Sequence, residues 1–565
     1  MSEVRRIIPV AAFLFLAATI GFGGNLAAAV AVVAVALLSL LPLPARLAPP
    51  ADRIESWADN RFPLLLPLLA LLLTVFYAWL WGGRGYGFQP VVHDEFAYLF
   101  QAKSFLAGRL FFPPPPDRVA FDAFHILTDP VYASKYPPGH ALLLLPGSAA
   151  GIPWIGPLLA SGLSLVLLGL LAKRVIGAGG SLLLVFLFGI APAQVESATT
   201  YLSQTGNLLF LLATLYFAAR AVERGGRANA ALAGTALGLA WLTRPLNASV
   251  LALFLAALIG SRREARKALL RPAAIAAGGI PLLFLIGTGL AYNRAVTGSP
   301  LVTPWQLYAR TSQPEDTFGF ASGEEEIEER PVGPGKRLYN ETILYPNRLR
   351  YTPGFALGTL FRMRIPMTAG ESSPPLLFLF LLPLIALPGG RRTALWTLLF
   401  IALSHGAYLL YWFPWGRYYH EITPALLLLP LLGARSALAA ARRAGRPAAA
   451  WSVILLFLLG TGLAAARLPF HVEYRRAKAR AHARFYSEVE RKTPAGSILF
   501  LRYGRAHNPE IDFLNNDPDL AAAERVFAYD LGPERNRTLL EECFPERRPY
   551  LYDEKRGVIL PGFGE

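Results

Sequence analysis

The chain has 565 residues, of which 54% are hydrophobic and only 16% charged, and its mean hydropathy is +0.40. Soluble domains carry about 25% charged residues, so the surplus of long uncharged runs excludes an ordinary soluble protein and makes lipid the expected solvent. The net charge of +16 does not point to a nucleic-acid partner, because Lys and Arg gather in short loops between apolar runs, the pattern that sets membrane topology.

A bilayer core of about 30 Å takes about 20 apolar residues per helix. Residues 7–45 follow Arg5 and Arg6 without a clear cleavage site and are long enough for a retained helical hairpin, broken near 21–25. One span is expected at 62–83, followed by a mostly polar stretch at 84–140. A short helix at the interface is expected at 138–150, then spans at 154–172, 181–195, 205–219, 229–243, 246–260 and 273–292. After a second long polar loop at 293–373 come 375–387, 393–412, 423–432 with an extension, and 448–466. The fold class is therefore mainly α, a polytopic membrane helix bundle of about 13 transmembrane helices.

With Arg5 and Arg6 taken as cytoplasmic, alternation of sides leaves basic clusters such as Arg262, Arg263, Arg266, Lys267 and Arg271 on the cytoplasmic side. Arg244 and Arg417 stand alone in the short outer loops. Outside the membrane lie 84–140, 293–373 and the tail from 467. The tail holds short apolar stretches at 497–501 (SILFL) and 525–529 (RVFAY), read as strands of a small extracytoplasmic α/β domain. Three parts follow: 1–61, a hairpin and cytoplasmic loop; 62–466, the main transmembrane domain; and 467–565, the C-terminal domain. The acidic run at 324–330 (EEEIEER) reads as a solvated loop or helix face. The single cysteine, Cys543, excludes an intramolecular disulfide framework and a cysteine metal cluster.

The densest set of reactive side chains is in the first outer loop. It comprises His93, Asp94 and Glu95, then Lys103, Arg109, His125 and Asp129, then 135–140 (KYPPGH), which supplies Lys135, Tyr136 and His140. Phe96, Leu99, Phe100, Phe105 and Leu106 recur at helical spacing, so an amphipathic helix on the membrane surface is expected, with the acidic pair at its start. Arg244 stands between two uncharged runs, where a buried charge is costly and suggests function. Arg417, beside Tyr418, Tyr419 and His420, reads either as a phosphate contact or as a basic anchor in an aromatic belt. Glu196 could be a second acid facing the site, and His405 reads as a packing residue inside a span. The histidines at 93, 125 and 140 could join Asp94 or Glu95 around a divalent metal, but their spacing does not require it, and no metal or cofactor is assigned.

An acidic pair after a spanning helix, then a helix, then a Tyr-Pro-Pro-Gly segment opening the next apolar stretch resembles the GT-C superfamily. The nearest likeness is to the protein mannosyltransferase and aminoarabinose transferase type, glycosyltransferase family 39-like. The segments 197–207 (SATTYLSQTGN), 241–247 (WLTRPLN), 292–303 (YNRAVTGSPLVT) and 417–424 (RYYHEITP) agree, so the resemblance covers about 62–432. It implies transfer of a sugar from a polyprenyl-phosphate donor to a lipid, glycan or protein acceptor on the outer face, with inversion. It makes Asp94 the general base and leaves Glu95 to position or tune it, or to hold a metal if one is used. Lys135, Arg244, Arg417 and His420 become candidates to stabilise the phosphate leaving group. A transporter or lipid flippase, and a non-catalytic envelope assembly protein, are the alternative readings. The first predicts ionisable residues near the bilayer midplane, whereas here the charges gather at the outer ends of the spans. No Gly-rich P-loop for ATP is present.

Overall fold

The computed structural model describes residues 34–35, 41, 43–44, 48–83, 87–321, 330–372, 375–386 and 390–563. The expected hairpin at 7–45 lies outside the described residues except for a few positions, as does the acidic run apart from Arg330.

The fold is that of a mainly helical bundle, and helices occupy nearly every segment expected to span. They include Ala51–Ala78, Ile155–Ile190, Gln204–Arg224, Arg227–Thr243, Pro245–Ser261, Pro272–Thr297, Arg391–Tyr408 and Thr423–Arg443. The expected span at 375–387 is broken into Pro375–Phe378 and Leu381–Ala386. Among the described residues, five helices are long and apolar enough to cross a membrane, or six if Pro245–Ser261 is joined to Arg263–Leu269 across a 114° bend. This is fewer than about 13 because the N-terminal pair lies outside the described residues, two expected spans lie within Ile155–Ile190, and others are short.

Two spans were expected between 154 and 195. The chain between them turns at Gly177, whose φ of 78° requires glycine. Ser181 Oγ donates to the Gly169 carbonyl at 2.6 Å, a contact that residues twelve apart on one straight helix, about 18 Å in rise, could not make. The segment is therefore a hairpin. Both arms pack on Ala51–Ala78: Gly169 meets Leu66 on one arm, Gly189 meets Leu73 on the other. Glu55 accepts from the Ala178 and Gly179 N–H groups at 2.5 and 3.1 Å, capping the start of the second arm.

The last membrane helix is much longer than expected. Pro447–Lys492 runs for 46 residues, about 69 Å at 1.5 Å per residue. It leads into a four-stranded sheet in the order Arg525–Tyr529, Ser497–Arg502, Arg548–Asp553, Val558–Pro561, the last antiparallel to its neighbour and the others parallel. Strand residues alternate between faces. Ile498, Phe500 and Val526 pack with Phe121 and Leu539, while Leu499, Leu501 and Phe527 pack with Phe485, Phe513 and Phe100. Phe100 belongs to the helix His93–Leu106. That helix was expected to rest on lipid; Ala97 and Phe100 are instead buried against the C-terminal domain, and Tyr98 and Ala102 against the helical bundle, while Leu106 stays 44% exposed.

Close helix contacts rely on small residues, as in other membrane bundles. A Cβ on Gly234 would run into the carbonyl oxygen of Gly278 on the neighbouring helix, whereas a Cβ on Gly260 would meet nothing. Gly234→Ala is expected to destabilise by about 1–3 kcal/mol through overpacking. Gly260→Ala is expected to be neutral or more stable by up to about 1 kcal/mol. Thermal unfolding of the two variants in detergent checks the contrast; equal melting temperatures would refute the packing argument.

Candidate active site

The acidic pair is set by the way the chain enters the helix His93–Leu106. Val92 is extended (φ −121°, ψ 154°), and Glu95 turns back to accept from the Val91 and Val92 N–H groups at 3.1 and 3.3 Å. Its other oxygen, Oε2, accepts from the Tyr201 N–H at 2.9 Å, and Arg475 Nη2, from the long C-terminal helix, donates to Oε1 at 3.1 Å and to Oε2 at 3.4 Å. Glu95 is thus fully buried and committed to four partners.

Asp94 is turned the other way. Its side chain keeps 30% exposure and lines a cavity of about 540 Å³. Tyr136 donates its hydroxyl to Oδ1 at 2.5 Å, and His125 Nε2 stands 3.7 Å from Oδ2. Burial, then Lys135 and His93, hold the His125 imidazole well below its ordinary pKa, so it is neutral near pH 7. Burial, and then the Asp94 charge, push the Tyr136 hydroxyl well up, so it stays a donor. Among the described residues, no lysine or arginine forms an ion pair with Asp94. His125 itself has a φ of 63°, a conformation uncommon outside glycine; backbone strain of this kind clusters at functional sites.

Two cations line the same cavity. Arg244 interrupts two helices with φ −144° and ψ 87°, since the following Pro245 disfavours a helical residue before it. Its Nη2 donates to the Tyr408 hydroxyl at 2.7 Å, and its Nε lies 3.4 Å from Glu421 Oε1. Lys135 is buried, with its Nζ 3.3 Å from Asp316 Oδ2 and 4.6 Å from the Tyr308 ring centre. Asp316 also accepts from the Tyr411 hydroxyl at 2.7 Å and the Trp412 Nε1–H at 3.2 Å. One carboxylate, with an oxygen that accepts no hydrogen bond among the described residues, thus shares a cavity with a guanidinium and an ammonium. Such a site can take a proton from one group and hold developing negative charge on another.

A family model described as dolichyl-phosphate-mannose-protein mannosyltransferase matches residues 146–290, a stretch that contains Glu196 and Arg244 but not Asp94. ArnT from Cupriavidus metallidurans, in a crystal structure bound to undecaprenyl phosphate, matches with a TM-score of 0.51 at 12% identity, over 86% of this chain and 93% of ArnT. The chain has the GT-C fold. It is an architecture of membrane glycosyltransferases. The Archaeoglobus fulgidus oligosaccharyltransferase, in its apo form, matches with a TM-score of 0.44 at 12% identity, over 79% of this chain and 63% of that one. No curated protein matches the sequence significantly.

Within the GT-C fold the residues singled out from sequence separate into groups. Asp94, Lys135, Tyr136 and Arg244 share the cavity. Glu95 lies behind it, as does His140, whose Nε2 bonds the Tyr201 carbonyl at 2.7 Å and whose pKa burial lowers to about 4. His93 stacks on Phe124 at 4.0 Å, and burial lowers its pKa to about 3. His420 is buried against Gln194 Oε1 at 2.8 Å. Arg417 and Glu196 pair at 2.9 Å and line a second cavity. Among the described residues no three His, Cys, Asp or Glu side chains are arranged to hold a metal ion. Sequence reasoning missed Asp316, one acid in a loop of several, and the aromatic wall that Tyr408, Tyr411 and Trp412 form with Tyr418. The aromatic run at 411–419 was the available signal for that wall.

Removing one partner of a buried ion pair strands the other, at about 3–5 kcal/mol. Glu95→Gln and Arg475→Gln are each expected to lower stability on that scale, and the double variant by clearly less than their sum. Thermal unfolding of the three variants measures the coupling; strict additivity would show that the pair is not a unit.

Proposed function

We propose that this chain is a membrane glycosyltransferase that moves a sugar from a polyprenyl-phosphate donor to an acceptor, with Asp94 as general base and inversion at the anomeric carbon. The observation that carries this reading is the single cavity in which Asp94 keeps one oxygen without a hydrogen bond among the described residues while Arg244 and Lys135 approach from other elements. The likeness to ArnT, solved with undecaprenyl phosphate, supports the donor class.

The acceptor hydroxyl gives its proton to Asp94 Oδ2 as its oxygen attacks the anomeric carbon. Tyr136, bonded to Oδ1, fixes the carboxylate plane. The bond from sugar to phosphate breaks on the opposite face, and the phosphate leaves with the electron pair. Arg244 and Lys135 meet the charge that develops there, already held in place by their own partners, so little reorganisation is needed. The apolar and aromatic lining, including Trp241 and Leu246, suits the first isoprene units of the lipid. The distribution of positive residues supports a cytoplasmic N-terminus, with the site and the C-terminal domain on the outer side.

Asp94→Asn keeps the shape and removes the base. It is expected to lower transfer from a polyprenyl-phosphate sugar in proteoliposomes by about 10²–10⁴-fold, with the melting temperature unchanged. Wild-type turnover would sink the catalytic assignment. Arg244→Gln is expected to cost about 10²-fold or more in kcat, because the charge it meets is larger in the transition state than in the ground state. A rise in KM with kcat intact would assign it to ground-state binding instead.

A further inference from the structure

Beyond Trp415, which lines both spaces, lies a second cavity of about 410 Å³. Its walls are apolar at Val92, Met363 and Met367 and acidic at Glu196 and Glu371. Most of its charges are already matched. Arg475 is held by Glu95 at 3.1 Å, Lys478 by Glu510 at 2.7 Å, and Arg417 by Glu196 at 2.9 Å. The Arg417 guanidinium also sits 3.8 Å over the Trp415 ring. Glu371 has no ion pair or hydrogen bond of its own among the described residues. Its carboxylate lies flat against Gly416, where any Cβ would collide with it. Glu196 and Glu371 therefore share one guanidinium and leave a negative charge uncompensated beside an apolar wall.

We propose that this second cavity binds a ligand carrying an ammonium group, seated at Glu371 and Glu196, with its apolar part along Met363, Met367 and Val92. An ammonium offers three donors, enough for both carboxylates, and relieves the repulsion between them. Burial, and then Glu196, raise the Glu371 carboxyl to about 7 against the opposing pull of Arg417, so a bound cation is what keeps it ionised. The same chemistry is found in an aminolipid head group and in an amino sugar. The inference does not depend on the transfer reaction.

The test uses the full-length protein in detergent micelles, with dodecylamine as probe, dodecanol as the uncharged control, and native mass spectrometry and tryptophan fluorescence as readouts. Dodecylamine is expected to bind saturably and at least tenfold more tightly than dodecanol, and Glu371→Gln to remove that preference. Binding is also expected to weaken several-fold between pH 8 and pH 6 in the wild type, as Glu371 takes a proton, and to stay flat in Glu371→Gln. The other charged groups facing the cavity are Glu196, Arg417, Arg475, Lys478 and Glu510. Met367→Trp, which fills the apolar part without touching a charge, is expected to abolish binding and serves if Glu371→Gln does not fold. Competition by phosphatidylethanolamine identifies a lipid source, and competition by glucosamine an amino sugar. The proposal is overturned if dodecanol binds as well as dodecylamine, if Glu371→Gln binds as the wild type does, or if neither competitor displaces the probe.

Discussion

The contact between Glu95 and Arg475 is the constraint on which the site depends. Two charges removed from water cost several kcal/mol each, and attraction alone seldom recovers that. Here the carboxylate also accepts three backbone N–H groups, from Val91, Val92 and Tyr201, which satisfies lone pairs that would otherwise be stranded. One side chain thereby ties together the loop after the first described membrane helix, the turn before Gln204–Arg224, and the C-terminal helix. Asp94 is the adjacent residue. With Glu95 locked behind the helix start, Asp94 has little freedom except to face the cavity. The C-terminal domain therefore helps to aim the acid, through Arg475 and through the burial of Ala97 and Phe100 under its sheet.

The other half of the site depends on interruptions in helices. Pro245 forces a break at Arg244, so a guanidinium emerges between two apolar helices where the backbone turns. Its remaining demands are met by Tyr408, Ser203 and Glu421, and Glu421 is in turn bonded by Asn207 at 2.7 Å. An arginine at that depth without such a set would be too costly to keep in place.

Much of the bundle was legible because apolar runs bounded by charges have a simple physical meaning. Arg227–Thr243, Pro245–Ser261 and Pro272–Thr297 begin and end within a few residues of the expected limits. The failures share a cause, which is that local periodicity does not reveal what covers a face. The helix His93–Leu106 has an apolar stripe suited to lipid, but Phe100 is covered by a domain about 400 residues later in the chain, and Leu99 and Phe105 pack on the helical bundle. The length of Pro447–Lys492 was hidden because its composition changes from apolar to charged midway while its helical propensity does not. Within the site, the pairing of Asp94 with Glu95 in sequence suggested shared chemistry. Their separation into an exposed acid and a buried tie follows from consecutive helical positions pointing about 100° apart, with a partner for each direction that only the tertiary fold supplies.

The arrangement of carboxylates also suits the proposed reading, in which a base and a phosphate site share one cavity. An opposite charge close to a carboxylate favours its ionised form and lowers its proton affinity. A cation collapsed onto Asp94 would thus make it a poorer base and would itself be unavailable to a phosphate. In this structure each cation is held by an acid other than Asp94, Lys135 by Asp316 and Arg244 by Glu421. The groups next to Asp94 are a tyrosine hydroxyl and a neutral imidazole. Asp316 and Glu421 therefore act as restraints that keep positive charge apart from the proposed base.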